Sequence, residues 1–283
     1  SAVVVYDEQS ELAMSLTMAY QHCLAGARFI NIAHKPFEEI IKILFSLKAS
    51  DLVVLIQSES FRLGAFRIRV DLFARGIKVI EHPHLAVMRP DEIPIYVDAL
   101  AYDAAYLRGT GKALKQKLGA AQSAVVDRGG ESLVFESRFE SSKLNVGDYS
   151  ETKNVGGQFP IGEVFTEAKN LEAVNGRVRI FAFGDTSFKV NKPAKPITLV
   201  IQSGKVVEAL NSTPEFDQVL ANIRRDEDDV WVRELGLGLN RAMTQDRIVS
   251  DIGTYERMCG VHLSLGAKHT IYKKPAFTRK LAR

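Results

Sequence analysis

The sequence predicts an α/β protein: an N-terminal domain with an open, mainly parallel α/β sheet, followed by a β-rich α+β domain. Short β-branched runs alternate with helix-length amphipathic segments through the first 127 residues. Near Ser132 the helical periods stop, and strands separated by turn signals take over. At 283 residues the chain is long enough for two cores. The predicted domains are 1–127 and 128–283, with the turn DRGGES at the boundary.

Ala2 to Tyr6 opens as a strand, and Asp7 is placed to cap the helix that follows. Leu12, Leu16, Ala19, Tyr20 and Cys23 recur in that helix at the spacing of one buried face, which makes Cys23 a core residue. Phe29 to Ile32 is the second strand, and Pro36 opens the next helix, FEEIIKILFSLKA. The continuous apolar run from Asp51 to Gln57 suits a strand buried on both faces. A helix from about Phe61 to Arg75 ends at Gly76, and Ile77 to Ile80 is the fourth strand. Asp91 to Leu107 and Lys112 to Leu118 read as further helices, completing about four β-α repeats. In the second half LVFESRF, RVRIFAFGD, ITLVIQ, KVVEAL and DVWVREL are strands, Ser203-Gly204 is a hairpin turn and Pro214 to Arg225 is a helix.

Composition excludes several classes. Hydrophobic residues are 46% and charged residues 25%, ordinary values for a globular chain. No apolar run approaches the ~20 residues that span a bilayer, and the start lacks a signal-peptide pattern, so no membrane association is expected. The net charge of +3 reports a tail, not a nucleic-acid face: five basic residues lie among the last eleven positions, and residues 1–145 carry 17 basic against 17 acidic side chains. The only cysteines, Cys23 and Cys259, form no disulfide framework, which points to a reducing, cytoplasmic setting.

Several short signals lead nowhere. Gly109-Thr110-Gly111-Lys112-Ala113 lacks the glycine and the hydroxyl of a phosphate loop, and no G-x-G-x-x-G follows a first-half strand. His82 and His84, either side of Pro83, read as solvated, and Asp226 to Asp229 as a wet helix end. Three second-half segments differ: NVGGQFPIGEVFTE delivers Glu163, VWVRELGLGLN places Glu234 in an apolar strand, and CGVHLSLGAKH puts His262 and Ser264 on one strand face with His269 beyond Gly266. Singly, each is an ordinary glutamate or strand histidine; together they are a set of metal ligands whose heads should converge within about 6 Å.

These segments resemble the metal-binding half of the aminopeptidase T/aminopeptidase S family of metallopeptidases. That family's G-E-V-F-T, E-L-G-x-G-x-N and x-H-x-x-L-G motifs match Gly162 to Thr166, Glu234 to Asn240 and Val261 to Gly266 in order, over roughly residues 128–270. The resemblance implies that Glu163 and Glu234 are metal-ligating carboxylates, one of them bridging or acting as base, and that His262 is a metal-ligating imidazole. His269 stands where the family has a tyrosine and is able to coordinate, with Tyr272 three positions further on. The family's final H-x-D ligand strand has no counterpart after His269. The resemblance therefore implies a chain cut before that strand, or a site that has lost it; the basic tail favours the former. Either way it predicts a partly assembled site, with Arg or Lys side chains or water between the carboxylates.

The implied activity is removal of N-terminal residues from peptides by a homodimeric hydrolase using Zn, Co or Mn, with two ions bridged by carboxylates. The same scaffold serves a 2,5-dihydroxypyridine dioxygenase that holds one iron through two histidines and an aspartate, so ring cleavage with Fe(II) is the alternative enzyme. A non-catalytic binding or assembly module is the third reading. Residues 1–127 would then wall the cleft and hold neither metal nor nucleotide.

Overall fold

The computed structural model describes residues 1–61, 68–150, 152–266, 272 and 274. The first half runs β1 (Ala2–Tyr6), α1 (Glu11–Cys23), β2 (Arg28–Asn31), α2 (Phe37–Ser46), β3 (Leu52–Ile56), α3 (Ile68–Ala74), β4 (Lys78–His82), α4 (Ile93–Ala99) and α5 (Ala104–Ala120). The second continues with β5 (Ala124–Arg128), β6 (Glu131–Phe135), β7 (Lys143–Asn145), β8 (Gly156–Gln158), β9 (Glu163–Thr166), β10 (Val174–Ile180), β11 (Phe183–Gly184) and β12 (Val190–Asn191). It ends with β13 (Ile197–Gln202), β14 (Lys205–Leu210), α6 (Pro214–Glu227), β15 (Val232–Gly238), α7 (Ile252–Tyr255) and β16 (Gly260–Leu265). This is the mixed α/β architecture the sequence predicts. Among the described residues no helix is long and apolar enough to cross a membrane.

The first sheet is parallel throughout, in the order β2-β1-β3-β4-β8. Its strands bury both faces, as their apolar runs require. Val3, Val5, Val53, Leu55 and Val79 meet Ile40 and Leu44 of α2 and Leu72 of α3 on one side. Val4, Val54 and Ile56 meet Leu12 and Leu16 of α1 and Tyr96 of α4 on the other, joined there by Met243, Val249 and Tyr255 from the second half. A five-stranded antiparallel sheet, β14-β13-β10-β6-β5, and a four-stranded one, β16-β15-β9-β7, share the third core. The Ser203-Gly204 turn has φ of 46° and 76°, the left-handed pair of a tight hairpin.

Local details depart from the sequence reading. Ser10, not Asp7, caps α1; Asp7 accepts the Ser58 amide at 2.8 Å and the Ser58 hydroxyl, tying β1 to β3. Cys23 is exposed, because it falls on the last residue of α1, past the part of the helix that the sheet covers. The helix expected over 91–107 is broken after α4, and Asp103 caps α5 through the Tyr106 amide at 3.0 Å. Gly109 to Lys112 thus lies inside a helix, with Gly111 against Val146. The division at residue 127 is crossed in both directions: Leu107 and Leu118 of α5 pack in the second-half core, and β8 joins the parallel sheet. His82 is buried, not solvated: Nε2 lies 2.9 Å from the Tyr20 hydroxyl and Nδ1 2.8 Å from that of Tyr96. His269 lies outside the described residues.

Candidate metal centre

Strand register brings the candidate ligands together. In the sheet β16-β15-β9-β7, Glu234 pairs with Ser264, Gly236 with His262 and Phe165, and Gly238 with Glu163. Side chains alternate along a strand, so Glu234, Gly236 and Gly238 of β15 share one face with His262, Ser264 and Glu163 of its neighbours. Glu163, Glu234 and His262 each offer a ligand atom within 4.8 Å of the others. His262 Nε2 lies 3.1 Å from Glu163 Oε1 and 3.4 Å from Glu234 Oε1. All three come from strands of a packed sheet, so their backbones are fixed before any ligand arrives.

Glycine makes the convergence possible. The His262 imidazole lies across β15 over Gly236, where a Cβ would stand 1.9 Å from Nε2. At Gly238 a Cβ would meet the Met258 carbonyl at 1.9 Å, so the segment that leaves and returns around residues 240–259 closes directly onto the strand. Asn240 pins that segment: its side-chain amide donates to the Ala99 and Ile161 carbonyls at 2.7 and 3.1 Å, and its backbone amide to Arg257 at 2.8 Å. The glycines and asparagine of ELGLGLN are thus spacing and clamping devices around the glutamate.

The site holds two more charges that no motif announced. Arg257 is buried, its guanidinium donating to the Gly253 carbonyl and pairing with Glu256, with Nη2 3.7 Å from Glu163 Oε2. It is an arginine beside a candidate ligand, but its partner in charge is chiefly Glu256. Ser264 Oγ lies 3.4 Å from Glu234 Oε1 and donates to it. Tyr272 turns elsewhere, donating to the Ser141 carbonyl at 2.7 Å, and burial pushes its phenol up to about 12.

Burial on its own would strip His262 of its proton. The facing carboxylates of Glu163 and Glu234 overcome that and push the imidazole up to about 10. Burial likewise raises the Glu256 carboxyl against the opposing pull of Arg257. Nε2 of His262 is nevertheless out of line for a hydrogen bond with either carboxylate. A buried nitrogen aimed between two oxygens, without a closed hydrogen bond, fits a cation coordinated by all three. Two carboxylates and one imidazole are a donor set for a divalent ion of intermediate hardness.

No family model and no curated protein matches the chain. Among solved structures it is similar to 2,5-dihydroxypyridine dioxygenase from Pseudomonas putida KT2440, at 14% identity and a TM-score of 0.56, over 86% of this chain and 72% of that one. At that identity the likeness is one of fold.

Proposed function

We propose that the protein is a metal-dependent hydrolase that binds one divalent ion through Glu163, Glu234 and His262 and releases N-terminal residues from peptides. The convergence of those three side chains carries the reading. Charge supports a single ion over the pair the sequence resemblance implies. Glu256 and Arg257 offset each other, so a neutral His262 leaves the two charges of Glu163 and Glu234 for one divalent cation to balance. Such an ion supplies Lewis acidity toward a carbonyl oxygen and acidifies a water.

The chain's own residues do the rest. His262 must give up its proton as the ion enters, because only the neutral imidazole coordinates. Ser264 holds one oxygen of Glu234 by its hydroxyl, orienting that carboxylate. Arg257, 3.7 Å from Glu163 Oε2, draws that oxygen away from the imidazole side and leaves Oε1 facing His262.

A second reading has its own support: the likeness to a dioxygenase fold favours Fe(II) chemistry on a dihydroxylated aromatic ring. One reconstitution experiment separates them. Metal-free protein is titrated with Zn, Co, Mn and Fe(II) and assayed on peptides with free and blocked N-termini and on 2,5-dihydroxypyridine. One bound equivalent and release of residues only from free N-termini support the hydrolase. Oxygen uptake with Fe(II) alone supports ring cleavage, and no metal bound under any condition defeats both.

A further inference from the structure

The parallel sheet carries a second cluster of reactive side chains that the metal reading does not use. Its order places the point where the chain reverses direction across the sheet beside β1 and β3, and ligands of open α/β sheets bind outside the strand C-termini at such points. Ser60 follows β3 there, and His84 follows β4 past Pro83. His84 Nε2 lies 3.0 Å from Ser60 Oγ, and His84 Nδ1 lies 3.3 Å from Asp251 Oδ1. Asp251 comes from the far end of the sequence, at the head of α7.

The three are graded as a nucleophile, its base and an orienting acid must be. Ser60 is exposed, the His84 side chain is 19% exposed, and Asp251 is 0% exposed. Asp251 divides its oxygens: Oδ2 accepts the Thr254 amide at 2.7 Å, while Oδ1 has no hydrogen bond and faces the ring. The imidazole is stacked on Phe188 at 4.5 Å and 25°. Both His84 and Phe188 hold left-handed backbone conformations, φ 56° and 62°, which bulky residues adopt only where their surroundings impose it. Phe188 also accepts the Ile252 amide at 2.9 Å, next to Asp251. The ring is therefore fixed in plane, with one nitrogen toward the buried acid and the other toward the serine.

We propose that Ser60 and His84 are catalytic residues, oriented by Asp251, of a second hydrolytic site acting on small carboxylic esters. Ser60 Oγ bonds to the ester carbonyl carbon as its proton passes to His84 Nε2. The ester C–O bond breaks, and the departing alcohol takes that proton, leaving an acyl-serine. Water then adds with His84 as base, the Ser60 oxygen leaves and recovers a proton, and a carboxylic acid is released. Asp251 faces the ring and holds it in place without touching the ester, so it is a positioning residue.

The test uses the full chain in EDTA, so that metal-assisted hydrolysis does not contribute. A fluorophosphonate probe and p-nitrophenyl acetate report on the serine, with adducts mapped by mass spectrometry. Expected are one adduct per chain at Ser60, its loss in Ser60→Ala, and labelling at least 100-fold slower in His84→Gln. Asp251→Asn, which keeps an oxygen for the Thr254 amide, should lower kcat on p-nitrophenyl acetate at unchanged KM. Ser60→Ala alters an exposed side chain and keeps the fold, so the site stays testable if the buried variants fail to fold. No adduct at Ser60, or one that forms as fast in folded His84→Gln, would overturn the proposal.

Discussion

Two histidines, His82 in the parallel sheet and His262 in the four-stranded antiparallel sheet, are driven in opposite directions. His82 sits in the parallel sheet between two tyrosine hydroxyls, and burial pushes it down to about 3. His262 sits in the antiparallel sheet facing two carboxylates, and the same burial is overcome, up to about 10. Desolvation opposes the charged form in both places. What differs is the partner: hydroxyls satisfy a neutral ring and ask nothing more, whereas paired carboxylates demand a positive charge between them. The first arrangement is closed. The second is open to a proton or, on the proposed reading, to a metal ion.

The comparison breaks first at the carboxylates. Glu163→Gln or Glu234→Gln should weaken divalent metal binding roughly a thousandfold, since a three-residue set loses one charge and one donor. Gly236→Ala should do the same by displacing the imidazole, with the rest of the sheet intact. Metal content by elemental analysis and isothermal titration checks both. Undiminished uptake in these variants would remove the site from consideration.

Strand β15 offers a sharper contrast one residue before Glu234, at a bulge in its pairing with β16. There Arg233 pairs with Glu167 through two hydrogen bonds of 3.1 and 3.3 Å, a buried charge already answered by a buried charge. Arg233→Met should cost about 3 kcal/mol in urea unfolding, because the carboxylate is left unpaired. Arg233→Met with Glu167→Met should recover most of that loss. At the metal face, removing a charge should instead cost binding more than stability.

Acid should find His82 next. Its folded value is depressed below the unfolded ~6.5, so the unfolded chain takes up a proton that the folded chain refuses. The stability it contributes is complete above pH ~6.5 and is lost as pH falls toward 3. By pH 5 the loss should be about 2 kcal/mol, read from chemical unfolding, and His82→Phe should flatten that part of the profile. His262 has the opposite sign: in the metal-free fold its contribution is complete below ~6.5 and is lost as pH rises through about 10. Metal entry at neutral pH should therefore release nearly one proton per ion, with affinity rising about tenfold per pH unit. Calorimetry in buffers of different ionisation enthalpy measures this directly.

Much of this was legible one segment at a time. The apolar run before Glu234 read as a strand, but the glycines after it gave no sign of the open face on which the imidazole lies. Strand runs such as DLVVLIQ announced burial on both sides. The break after α4 was hidden because Leu100, Ala101 and Tyr102 continue a helical pattern without glycine or proline, although Asp103 is a good cap. His82 was misread because its burial depends on Tyr20 and Tyr96, partners that no spacing links to it. Asp251 was missed for the same reason, since it gains its role from His84, and so was the approach of Arg257 to Glu163, although the chief partner of Arg257, Glu256, is its neighbour in sequence. The short β8, Gly156-Gly157-Gln158, has no strand character of its own and exists through its neighbour.

That last strand sets the order in which the protein can be completed during synthesis. β4 ends at His82, yet the strand that covers its outer edge begins at Gly156. Until the ribosome has delivered that segment, the growing chain carries a row of unpaired amides and carbonyls beside a hydrophobic sheet, an invitation to pair with another nascent chain. Only four residues separate the end of β8 from Glu163, so the event that seals the first sheet also carries the first carboxylate to its place.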